Sequence, residues 1–415
     1  MFKTLKEAQT WIESVEKFGQ KYDLIRMENA CNMLGNPQDT FKSVHIGGTN
    51  GKGSTLQFLH QILLKAGYNV GTFTSPYIVH FNERITLNGA MIDDESLLHY
   101  INEIHVLQET YREKYNDQIT FFELLTLISF LYFSHQEVDV VLYEVGLGGT
   151  LDATNVITPI LSIITSVGYD HMGVLGKTLK SIAINKLGIV KDEVPLINGI
   201  KQPHLQPLIK SHCEQKKAPL IDAKTYPATE ISLGRPTTFK LEDRPYTINL
   251  NGSHQVDNAK LAILAAEELN KRGFSIAENA IKDGLSIAFM PGRFEIIDDI
   301  VLDGAHNITG LKESLKTFEA YYPGKQKTVV FTVMADKDYL PMLRLLETVD
   351  QVIFTEIPYV RSEKATMLAH KSKHRNFVIE PDYKKALNHV HDKHAVLVTG
   401  SLYFISMFRR YMLER

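Results

Sequence analysis

Cysteine is scarce in this chain. Only Cys31 and Cys213 carry a thiol among 415 residues, far apart and outside any metal-ligand spacing. That excludes a disulfide scaffold and suits a reducing compartment. Long apolar runs are missing as well: none approaches the roughly 20 residues needed to cross a bilayer. The opening stretch MFKTLKEAQTWIESVEKF reads as a charged amphipathic helix without the apolar centre of a signal segment. An excess of one charge is also absent. A formal net charge of -3 leaves no basic footprint for nucleic acid and no acidic tail. Repeats and low-complexity segments are absent too. A cytoplasmic protein is expected, without membrane or nucleic-acid partners. What is present is ordinary globular material, 44% hydrophobic and 22% charged, on a chain long enough for two domains.

From residue 41 to about 200, short β-branched runs alternate with helical patterns. FKSVHI, DVVLYEV and ILSIITSV read as strands. Lys52 to Ala66 reads as a helix with Gly67 as its C-terminal cap. The alternation predicts a parallel sheet with helices on both faces. Residues 226–250, with TTFKLE and PYTINL, predict an antiparallel excursion, and 256–288 a helical stretch centred on NAKLAILAAEEL. After FMPGRFEII a second alternating series begins: IVLDGAH, KTVVFTVM, QVIFTEI and HAVLVTGS, each followed by a helix. The expected domains are 1–290, a linker at 291–297, and 298–415, the last close to the usual domain size.

The chemistry is concentrated in SVHIGGTNGKGSTLQFL. Successive N–H groups in a glycine-rich turn that opens a helix form a nest for phosphate oxygens. A lysine adds a point charge near the terminal phosphates. The common loop demands G-x-x-x-x-G-K-[ST]; here Lys52 is followed by Gly53 before Ser54. A bland strand-to-helix turn is the alternative, but lysine at a helix start opposes the macrodipole unless an anion sits there. Glu144 ends the apolar strand VDVVLYEV, where an acid is costly inside a sheet. In open α/β sheets ligands gather at such strand ends. It is therefore the expected Mg²⁺ ligand, the alternative being a solvated carboxylate beyond the strand.

GTNGKGS resembles the ATP-binding loop of the Mur ligase superfamily. TSPYIVHFNERI, EVGLGGTLDATN, DHMGVLGKTLKSIA, GRFE and DGAHN narrow the resemblance to the folylpolyglutamate synthase and dihydrofolate synthase family, across essentially the whole chain. The resemblance implies an N-terminal P-loop-containing parallel-sheet ATPase domain and a smaller C-terminal Rossmann-like α/β domain. It also implies an ATP-dependent, ADP-forming amide ligase. In such an enzyme ATP phosphorylates the γ-carboxylate of a folate, and L-glutamate attacks the acyl phosphate. Dihydropteroate is a second acceptor to be considered. Gathering ATP and a carboxylate requires Mg²⁺, two ions being expected, and cationic side chains.

Residue by residue, the resemblance assigns ATP to Thr49, Asn50, Gly51, Lys52, Gly53 and Ser54, with Asn258 at adenine and Arg293 and Asp303 at phosphate and ribose. Asn258 could instead open a helix as its N-cap, and Arg293 could be a linker salt bridge. Metal falls to Ser75, Glu144 and His171; histidine is an unusual partner for so hard an ion. Lys186 matches a lysine that relatives carry as a carbamate, counted with Lys52 and His171 as catalytic. Carbamylation needs a neutral amine, which burial or a nearby cation favours; the plain alternative is a solvated lysine. The acceptor would contact Asp23, Leu24, Ile25 and Arg26, Thr120, Phe121, Phe122 and Glu123, and Leu151, Asp152 and Ala153. Phe121 and Phe122 could equally be core. His306, Lys337 and Asp338 are candidates for holding glutamate or closing over ATP, which implies interdomain closure. Three positions depart from the family pattern: Thr150 where arginine is usual, Asn185 where glutamate is usual, and Tyr77 where histidine is usual. A cell-wall ligase is the runner-up, disfavoured because about 46 residues before the loop are too few for a UDP-binding domain. A non-ligating nucleotide switch is disfavoured by the absence of N-K-x-D. A monomer suffices.

Overall fold

Five residues of unbroken burial, Ser43–Gly47, make β1 the spine of the first sheet. The computed structural model describes residues 1–16, 23–77 and 79–414. Lys17 and Phe18 of the predicted opening helix, and Tyr22 and Ile78 of the motif stretches, lie outside the described residues. By packing, the chain forms two compact units. The first comprises Met1–Val167, Thr178–Tyr226 and Lys260–Gly284; the second comprises Gly168–Lys177, Pro227–Ala259 and Leu285–Arg415.

In the first unit, β1 is joined by β2 (Val70–Phe73), β3 (Ile85–Leu87), β4 (Ala90–Met91), β5 (Val140–Glu144), β6 (Leu161–Ile164), β7 (Leu196–Asn198) and β8 (Leu220–Asp222). Their order is β4-β3-β2-β5-β1-β6-β7-β8. Pairing is parallel except at the β2–β3–β4 edge. There Asn88 and Gly89 both take positive φ, as a tight hairpin turn requires. β1, β5 and β6 are buried at every position, as expected of strands covered on both faces. The order reverses at β1, so its carboxyl end is a switch point where such sheets bind ligands. Two helices flank that point. α1 (Lys52–Lys65) starts from Gly51 at φ 88°, a left-handed N-cap that favours glycine. α2 (Phe121–Ser134) is apolar almost throughout and buried from Glu123 to Phe133. Its start is fixed by a Thr120–Glu123 capping box.

The second unit holds two sheets. β9 (Ala228–Ser232), β10 (Thr237–Leu241) and β11 (Arg244–Ile248) form the antiparallel excursion. The other sheet runs β12-β13-β17-β14-β15-β16, from Glu295–Ile297, Ile300–Asp303, Ala395–Thr399, Lys327–Phe331, Gln351–Glu356 and Phe377–Asp382. It is parallel except for β12. The chain is thus mixed α/β with parallel sheets. Two features depart from the expectation. Residues 256–288 are two helices, Ser253–Asn270 and Glu278–Ile287, because Gly273 takes φ 90° in the turn between them. β16 went unpredicted because its edge position leaves Phe377 and Ile379 exposed and Pro381 interrupts its apolar pattern. Both cysteines are buried and free. Among the described residues no helix is long and apolar enough to cross a membrane.

Candidate active site

The loop after β1 is pinned before it can bind anything. Thr49 N–H donates to the Ser166 carbonyl at 2.9 Å. Asn50 N–H donates to Ser166 Oγ at 3.0 Å. Thr165 Oγ1 and Ser166 Oγ donate to the Asn50 carbonyl at 2.6 and 2.8 Å. Gly48, at φ 144°, passes so close to Thr165 that a side chain there would collide with it. Thr165 and Ser166 were missed from sequence. Their only signal was a pair of hydroxyls closing the apolar run ILSIITSV.

Lys52 follows, at the first turn of α1. Its ammonium donates to the Gly48 carbonyl at 3.2 Å and stands 3.9 Å from Glu144 Oε1. Glu144 is 6% exposed at the end of β5, and its Oε2 accepts the Ser75 N–H at 3.3 Å. Thus the ends of β1 and β5 and the segment after β2 bring Lys52, Glu144 and Ser75 together, as expected. Among the described residues no three His, Cys, Asp or Glu side chains form a cluster able to hold a metal. A carboxylate, a serine hydroxyl, phosphate oxygens and water nevertheless suit Mg²⁺, which keeps several waters. His171 lies seven positions beyond the end of β6, at φ 49°, as the N-cap of a short helix Met172–Leu175 in the second unit. The glycine-flanked loop, not the strand, sets its place.

α3 (Leu179–Leu187) carries Lys186, only 3% exposed, an unusual depth for a lysine. The plain solvated reading is therefore excluded. The segment after β5 lies against it: a Cβ at Gly149 would come within 2.6 Å of the Asn185 carbonyl and 2.9 Å of Lys186 Cα. Two departures from the family pattern meet here. Thr150 N–H and Oγ1 both donate to the Asn185 carbonyl, at 2.8 and 2.9 Å.

The segments expected to touch the acceptor are also first-unit residues. Arg26 and Glu123 are buried against each other, with Nη2–Oε1 at 3.1 Å and Nε to both oxygens at 3.2 and 3.1 Å. Glu123 Oε2 also accepts the Thr120 N–H at 2.7 Å. These side chains therefore order the segments. Ile25 and Leu151 are exposed, while Asp23, Leu24, Phe121 and Phe122 are partly exposed. Phe122 packs on Phe73 at 5.8 Å and under Gly146. Asp152 and Ala153 are buried. Tyr77 lies under the Arg84 guanidinium at 5.1 Å.

In the second unit, Asp170 is a hub. Lys337 Nζ donates to it at 2.9 Å and lies 3.1 Å from His171 Nε2; His306 Nε2 is 3.8 Å away. Burial alone would raise the Asp170 carboxyl, but Lys337, His171 and His306 hold it at about 2. Burial, then Lys337, pushes His306 down to about 4. Asp170 carried no signal beyond the motif that named its neighbour. Asp303 is pushed up to about 6 by burial, against the pull of Arg293. Asp338 is exposed. Asn258 lies six residues into the helix Ser253–Asn270 and donates to Gln255 Oε1 at 2.9 Å. It is no N-cap.

Residues 46–266 match the Mur ligase middle domain and residues 292–402 the Mur ligase glutamate ligase domain. A dihydrofolate synthase/folylpolyglutamate synthase of Bacillus subtilis is 39% identical, over 99% of each chain. A folylpolyglutamate synthase of Lacticaseibacillus casei is 30% identical, over 98% of each. The structure of E. coli FolC in complex with DHPP and ADP superposes with a TM-score of 0.87 at 27% identity, covering 99% of this chain and 98% of that one. The chain belongs to the dihydrofolate synthase/folylpolyglutamate synthase family of Mur ligases.

Proposed function

We propose that this ligase uses ATP to join L-glutamate to the γ-carboxylate of a tetrahydrofolate, forming ADP, and that it also accepts dihydropteroate. The observation that carries the reading is the approach of Lys52, Glu144 and Ser75 at neighbouring ends of one parallel sheet. The Bacillus subtilis relative bears both enzyme names, and E. coli FolC holds DHPP and ADP, which supports the double acceptor.

The chain's own groups have definite tasks in this scheme. Backbone N–H groups of Gly51 to Ser54 receive phosphate oxygens at the positive end of α1, and Lys52 neutralises the terminal phosphate. Glu144 and Ser75 would hold Mg²⁺ together with the phosphates, with His171 as a further ligand and a second ion beside the first. When bound, the metal lowers the charge repulsion between a triphosphate and a carboxylate. Lys186 as a carbamate would replace a buried cation by an anion on the wall beside the loop after β5. Asn258 would meet adenine, and Arg293 and Asp303 the phosphate and ribose. The acceptor would lie on Asp23–Arg26, Thr120–Glu123 and Leu151–Ala153. The domain division 1–290, 291–297 and 298–415, a monomeric state and a cytoplasmic location belong to the same proposal.

The test is phosphate release from ATP with tetrahydrofolate and glutamate, against either omitted, repeated with dihydropteroate. Release should require both an acceptor and glutamate. Release indifferent to both would leave only a nucleotide hydrolase or switch.

A further inference from the structure

Behind the phosphate loop, β1 carries a polar side chain for which the scheme above has no use. His45 is 0% exposed, in register with Tyr143 of β5 and Ser162 of β6. Its Nε2 lies 2.8 Å from Thr154 Oγ1. Thr154 Oγ1 lies 2.5 Å from Asp152 Oδ1. Asp152 also accepts the Thr154 N–H at 3.0 Å and, through Oδ2, the Leu147 N–H at 2.8 Å. Burial raises the Asp152 carboxyl, but the Leu147 and Thr154 N–H groups and the Thr154 hydroxyl oppose that rise. With both N–H groups already directed at the carboxyl, the single Thr154 hydroxyl proton goes to Asp152. The other bond to that oxygen must then come from His45, which makes His45 the Nε2–H tautomer. Burial, aided by Lys191, drives its pKa down to about 3, so the ring keeps one proton. Nδ1 has no hydrogen-bond partner, and Thr154 is the ring's one link among the described residues.

The chain of bonds ends on a segment that matters. Residues 146–157 begin two positions after Glu144, include the proposed acceptor contacts Leu151–Ala153, and press on Lys186 through Gly149. On the far side they are tied to α3 by Thr150 and by Asn155 Nδ2, which donates to the Thr150 and Gly188 carbonyls at 3.0 and 3.1 Å. On the near side, the His45–Thr154 bond joins them to the strand that launches the phosphate loop. We propose that His45 is a positioning residue for the ligation, setting the acceptor-binding segment against the phosphate loop through Thr154 and Asp152. This rests on the ligase reading above.

The test compares the full chain with His45→Leu, His45→Gln and Thr154→Val in steady-state phosphate release, varying ATP and tetrahydrofolate separately. Hydrogen exchange of residues 146–157 is followed in each protein without substrates. His45→Leu and Thr154→Val should each raise the acceptor KM about tenfold, with the ATP KM changed less than about twofold, and should speed exchange in the segment. Glutamine can place an N–H near the Nε2 position, so His45→Gln should recover most of both. Unchanged acceptor KM and exchange, equal rises in both KM values, or a glutamine variant no better than leucine would overturn the proposal. Should His45→Leu show no urea transition, Thr154→Val and His45→Gln decide it by the same criteria. A wild-type chain that releases no phosphate would sink the ligase reading alone, and the exchange comparison would still judge His45 as the anchor of the segment.

Discussion

Lys52 is a cation placed where a helix already carries partial positive charge, and within the described structure its compensation is the Gly48 carbonyl and the Glu144 carboxylate. An arrangement so charged is built to receive an anion. Lys52→Ala and Glu144→Ala should each lower turnover by at least about a hundredfold while leaving the urea midpoint close to wild type. Retained turnover in either would misplace the phosphate and metal assignment. A second residue-scale effect concerns acid. Burial pushes His60, on α1, down to about 4 from 6.5. It is neutral in the native chain and takes up a proton on unfolding below about pH 6.5. Its contribution to stability is therefore present above that pH and is lost as pH falls towards about 4. His60→Leu should flatten the fall of the urea midpoint across that window; an unchanged slope would remove His60 from the account. At this scale the meeting of Lys52, Glu144 and Ser75 was legible from the motifs and strand ends. The ties of Thr165 and Ser166 to the loop, and of Asp170 to Lys337 and His306, were not, because only folding joins residues so distant in sequence.

Among the elements, the segment between β5 and the short 3₁₀ turn Ala153–Val156 carries the most consequence. It packs on α3 backbone to backbone, which glycine alone permits at position 149. Gly149→Ala should cost about 1–3 kcal/mol of stability, measured by urea unfolding, and should reduce turnover by shifting Lys186. A variant with native stability would show that the contact yields easily. Thr150 and Asn185 each depart from the family pattern, and 35 residues of separation hide their meeting. Here the link is Thr150 bonding to the Asn185 carbonyl, which is indifferent to the side chain at 185. Strand and helix identities were legible wherever β-branched runs alternate with amphipathic ones. β16 and the break at Gly273 were not, since an edge strand buries only alternate residues and a left-handed glycine leaves no hydrophobic trace.

On the scale of the whole molecule, two parallel sheets and an antiparallel one follow from the two alternating series and the stretch between them. Contacts group residues 168–177 and 227–259 with the C-terminal unit, a grouping set by packing rather than by composition. The two cysteines are a property of the entire native chain. Cys31 and Cys213 are 1% and 2% exposed, and burial pushes their thiols up to about 12 and about 11. A thiol reagent should titrate neither in the native protein and both in denaturant; fast native reaction would contradict their burial. That silence makes the wild-type chain a ready host for spectroscopy. Val360→Cys, at a fully exposed position, would be the lone site taking up a fluorescent dye, so that substrate-driven motion could be watched without first removing any natural sulfur.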